Sequence, residues 1–88
     1  MNKQIERIMQ MEAYMDEVSA ALRLPNPPDI RPQLTALAEY MDSGLWRQDY
    51  QDDEAGRLPA DLKRGVLSQD ALYDLLTRCQ NLLARNHT

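Results

Sequence analysis

There is no phenylalanine in these 88 residues, one cysteine, one histidine and only three glycines. Each scarcity closes off a class of chemistry. A lone Cys79 cannot form an internal disulfide, and with no CxxC and no His/Cys spacing around it there is no zinc set. His87 and Cys79 have no base or orienting group in view, so a nucleophile–base pair of the hydrolase kind is absent and no catalytic residue is assigned. Three glycines supply no phosphate-cradling loop. No run approaches the roughly 18 apolar residues of a membrane span. Residues 1–24 carry charges throughout and lack the apolar stretch of a secretory leader. The expected setting is therefore cytoplasmic and reducing, without a membrane. A net charge of −4 gives no broad affinity for nucleic acid.

What is abundant is helix-forming: Leu, Met, Ala, Gln, Asp and Arg dominate. The length fits one domain, with a thin core that makes self-association a real option. Gln4, Ile8, Met11, Met15, Val18 and Leu22 recur at spacings of four and three, which predicts a first helix over about 2–24. Its Met-rich stripe serves either as core or as a homodimer face. Pro25, Pro27 and Pro28 end that helix in a stiff loop. Asp29 is placed to cap a second helix over about 31–42, with Pro32 in its first turn and Leu34, Leu37, Ala38 and Met41 facing inward. Ser43 and Gly44 end it.

Gly56 to Leu76 is dense in local instruction. Gly56 suits positive φ, and Pro59 can open a helical turn over about 59–63. Gly65 reads as the residue that stops it, and Ser68 as the N-cap of a last helix over about 69–85. Leu72, Leu75, Leu76, Cys79, Leu82 and Leu83 share one face of that helix. Cys79 is then a small buried residue, and His87 belongs to a frayed tail.

Between them, residues 45–53 form a short helical turn with Trp46 and Tyr50 on one face. Asp49, Asp52, Asp53 and Glu54 are expected in solvent, with fraying after Tyr50 because carboxylates at a helix C-terminus oppose its dipole. Trp46 is expected in the core, and Tyr50 and Tyr73 half-buried. Charge is segregated here. Glu39, Asp42, Asp49, Asp52, Asp53 and Glu54 face only Arg47, whereas Arg57, Lys63 and Arg64 face only Asp61. The two blocks are expected to neutralise one another across the corner.

The run SGLWRQDYQDDEAGRLPADLKRGVLSQDALYDLL resembles the signature half of a family of small bacterial proteins of this length, a domain of unknown function. The resemblance covers about 38–83 and is most specific over Leu58–Ser68. It implies a cytoplasmic bacterial protein with no assigned activity, no catalytic residues and no cofactor.

The expected fold is all-α, a small helical bundle. Two long antiparallel helices, the first and last, are covered by a shorter helix and an irregular Trp-containing segment. The expected function is a non-enzymatic protein–protein interaction module that recognises a protein partner through Trp46, Tyr50, Asp53, Lys63, Arg64, Asp70 and Tyr73. The alternative is a small-ligand or divalent-metal-binding protein using the acidic cluster 49–54, although the loop lacks the ligand spacing of an EF-hand.

Overall fold

The computed structural model describes residues 2–26 and 28–86, with side chains described as far as Gln80. The expectations for the side chains of Leu82 and Leu83, and for His87, lie outside what is described. Four helices and one 3-10 turn follow in order: α1 Lys3–Ala21, α2 Arg31–Asp42, α3 Leu45–Glu54, the turn Gly65–Leu67, and α4 Gln69–Asn86. Among the described residues there is no strand, so the fold is all-α.

Helix α1 starts at Asn2, whose side chain accepts the Gln4 amide at 2.8 Å. It ends earlier than the expected Leu24. The amides of Arg23 and Leu24 turn to the carbonyls three residues back, both at 3.1 Å. Leu24 precedes Pro25, and a residue before proline is pushed out of the α region. Asp29 accepts the Arg31 amide at 3.0 Å and also pairs with the Arg31 guanidinium, fixing the start of α2.

The core collects Ile8 and Val18 from α1, Leu34, Leu37 and Tyr40 from α2, and Trp46 from α3. Val66 and Leu67 come from the 3-10 turn, and Leu72, Leu75 and Cys79 from α4. Met11, Met15 and Leu22 pack against this cluster, so the heptad-like stripe of α1 is covered by the chain itself. Among the described residues α1 rests chiefly on α2 and the 3-10 turn, and α4 on the same turn and α2. The first and last helices therefore meet largely through what lies between them. Cys79 is 2% exposed, and burial pushes its thiol up. That is the behaviour of an inert core sulfur.

Three local expectations are corrected. The Trp-containing segment is a regular helix, unbroken to Glu54. Two of its C-terminal acids are neutralised: Asp52, which also accepts from Gln4 at 2.6 Å, by Arg57 at 3.1 Å, and Asp53 by Arg64 at 3.1 Å. Residues 59–63 form no helix; the Leu62 amide closes a single turn onto the Pro59 carbonyl at 3.2 Å, and the helical turn falls at Gly65–Leu67. Tyr73 is 66% exposed instead of half-buried, because the inward face of α4 runs through Leu72, Leu75 and Cys79.

The glycines divide by cause. Gly44 and Gly56 adopt φ of 85° and 73°, the left-handed region where a side chain is strained. Gly65 does not. A Cβ there would stand 2.8 Å from Oε1 of Glu12, so any side chain at Gly65 pushes that carboxylate aside. The same Glu12 carboxylate accepts the Val66 amide at 2.7 Å. Gly65→Ala is expected to displace Glu12 and cost about 1–2 kcal/mol, the range for an amide left unpaired. In a Glu12→Ala background the same substitution should cost almost nothing. Urea melts of the two singles and the double measure this coupling.

Candidate functional site

Two polar centres fix the face on which α1 meets the segment after α3. The first is Asp49, 0% exposed although it sits in the most acidic stretch of the chain. Its carboxylate takes Nε of Arg7 at 3.0 Å, a second Arg7 nitrogen, Nε2 of Gln4 at 3.0 Å and the Tyr40 hydroxyl at 2.6 Å. Burial pushes the Asp49 acid up, and the hydrogen bonds from Arg7, Tyr40 and Gln4 more than reverse that, leaving it below the ordinary carboxylate value. The Arg7 guanidinium is raised, first by its hydrogen bond to Asp49. Burial, with Asp49 beside it, raises the Tyr40 phenol far out of the physiological range. One carboxylate thus joins α1, α2 and α3, and its expected exposure is overturned.

The second centre is the Val66 peptide. Its amide donates to Glu12 on α1 and its carbonyl accepts Nε1 of Trp46 on α3 at 2.9 Å. Its side chain is fully buried. Arg64 reinforces the link, donating to the Pro59 carbonyl at 2.6 Å while pairing with Asp53. The irregular segment 57–64 is therefore tied to the helices at several points.

A groove of about 560 Å³ opens between α1 and this tethered segment. Ile5, Met9 and Ala13 form one wall, Pro59 and Leu62 the other, with Glu12, Asp16, Asp61 and Lys63 also lining it. Met9 is 56% exposed, a large apolar side chain with nothing over it.

The seven residues expected at a partner surface do not converge. Trp46 is buried, with Tyr50 stacked on it at 5.2 Å between ring centroids and 36% exposed. Asp53 and Arg64 pair with each other. Lys63 lines the groove. Asp70 and Tyr73 lie exposed on α4. The groove's α1 wall was missed, because Ile5, Met9 and Ala13 fall beside the main stripe and look like its edge.

A family model matches residues 2–88. The chain belongs to the family DUF4298, a domain of unknown function. No curated protein and no solved structure shows significant similarity to it. The DUF4298 match extends the resemblance seen over 38–83 to the first helix, so both walls of the groove fall within the family domain. In this DUF4298 chain no helix among the described residues is long and apolar enough to cross a membrane. Among the described residues no group of three or more His, Cys, Asp or Glu is arranged to hold a metal ion. The acids of the 49–54 cluster instead find donors within the chain: Asp49, Asp52 and Asp53 are bound by Arg7, Gln4, Arg57 and Arg64.

Proposed function

We propose that this protein is a non-enzymatic interaction module that holds a segment of another protein in the groove between α1 and Pro59–Lys63. The observation that carries this reading is the groove itself: an open, largely apolar surface beside a loop segment paired to α3 through Arg57 and Arg64 and followed by a turn bonded to α1 through Glu12. Preorganised walls reduce the ordering cost of binding, which is what a docking site needs. Trp46, Asp53 and Arg64 serve it by holding the wall, and Lys63 by facing the groove. A cation site at 49–54 is less well supported, since Arg and Gln side chains already occupy its carboxylate oxygens.

A photoreactive residue placed at Ala13, in cells that carry the protein natively, should yield a covalent adduct with a second protein. The same residue at the exposed Thr77 of α4 should yield none. Equal labelling from both positions, or none from Ala13, overturns the reading.

A further inference from the structure

We infer that the groove's occupant is a basic segment of a partner protein: a bulky apolar side chain flanked by lysine or arginine. This rests on the proposed function above and names the chemistry of its partner. The walls of the groove are apolar, through Ile5, Met9, Ala13 and Leu62. Its acids outnumber its bases. Asp16 and Asp61 are exposed at its edge and Glu12 is half-buried beside them, against Lys63 alone. Glu12 is tied to the Val66 amide, so Asp16 and Asp61 are the carboxylates presented to a partner. Edge charges of this kind set partner choice and speed of encounter more than raw affinity, and they select against acidic partners.

A second copy of this chain is disfavoured by net charge, although Arg23 beside the exposed Leu24 carries the same pattern, so self-association is one of the outcomes tested below. The whole chain carries −4, so two copies bring acid to acid. Arg7, Arg31, Arg57, Arg64 and Arg78 already pair with carboxylates of their own chain. A basic segment with an apolar side chain would complement both the apolar walls and the acidic edge.

The test is selection from a random peptide display library on the unmodified protein, followed by fluorescence anisotropy with the selected peptides. Peptides enriched in Lys or Arg next to Leu, Met or an aromatic residue are expected, with affinity falling as salt rises. Asp16→Lys combined with Asp61→Lys should weaken them roughly tenfold or more, consistent with interfacial charge pairs of unlike sign becoming like. Both positions are exposed, and circular-dichroism melts check that the variant keeps its fold. Met9→Lys, which replaces an apolar wall residue with a charge of the ligand's own sign, should also abolish binding.

Selected peptides without basic enrichment, basic peptides indifferent to the Asp16/Asp61 variant, or a library yielding no groove-bound peptide overturn the inference. So does a dimer in sedimentation that Met9→Lys dissolves, since the occupant is then a second copy. An Ala13 adduct to a partner whose cross-linked segment is acidic or neutral removes this inference and leaves the interaction module standing. Absence of any Ala13 adduct removes the module itself.

Discussion

Asp49→Ala is expected to destabilise the protein by about 3 kcal/mol. Removing one partner of a buried ion pair costs about 3–5 kcal/mol, because the other charge is left without compensation. Here the orphaned group is Arg7, whose side chain is 22% exposed and can regain some water, which puts the effect at the lower end. The Tyr40 hydroxyl loses its acceptor at the same time. Small domains are stable by about 5–15 kcal/mol in all, so this one change should shift the urea midpoint more than any exposed substitution. The acid limb of stability carries the same signature. A carboxyl held below its ordinary value contributes stability that is complete above about pH 4 and is lost as pH falls toward the folded-state value. Asp49→Asn should flatten that limb of the Tm–pH curve. Asp29 is lowered to about 2 by Arg31, but the pair is solvent-exposed, so Asp29→Asn should change the limb far less.

Trp46→Ala should cost about 3–5 kcal/mol, the range for truncating a large core aromatic. The indole is 8% exposed and packs in the central cluster, with Tyr50 stacked over it at an interplanar angle of 19°. Trp46→Phe separates packing from hydrogen bonding. It keeps an aromatic ring but leaves the Val66 carbonyl without its donor, which should cost about 1–3 kcal/mol. Circular-dichroism melts in urea read both variants, as the fluorophore is lost in each. The functional consequence reaches beyond stability. Trp46 holds the carbonyl of the same residue whose amide Glu12 holds, so loosening it should loosen the turn that anchors the Pro59–Lys63 wall and weaken groove ligands even where the helices persist.

The helices of this protein were legible because their signals are local. The four-and-three spacing of Ile8, Met11, Met15 and Val18, the prolines after Leu24, and the extended Ser68 before α4 each act within a few residues. The mutual neutralisation of the acidic and basic blocks was also legible, because Arg57 and Arg64 follow Asp52 and Asp53 closely in the chain. Asp49 was not, since its partners Arg7 and Gln4 lie more than forty residues away and a single carboxylate in LWRQDYQDDEA carries no mark of burial. Two hints were present: Asp49 stands three positions after Trp46, on the same side of a helix, and Gln4 is a polar residue within an apolar stripe. Gly65 shows the other limit. Its glycine leaves room for the approach of a carboxylate from α1, a tertiary fact that backbone preference alone misassigns to a helix stop. The groove escaped for a like reason, being made where the flank of one helix meets an irregular segment.

Amide hydrogen exchange at Val66 tests most directly whether the turn that anchors the groove wall is fixed to α1 and α3. If Glu12 and Trp46 clamp that peptide, its amide should exchange as slowly as that of Leu37 in the middle of α2, through global unfolding. Glu12→Ala should then accelerate Val66 well beyond any change at Leu37. Fast exchange at Val66 in the unmodified protein, at the rate of an open loop, would contradict a turn fixed to the helices and with it the preformed docking groove.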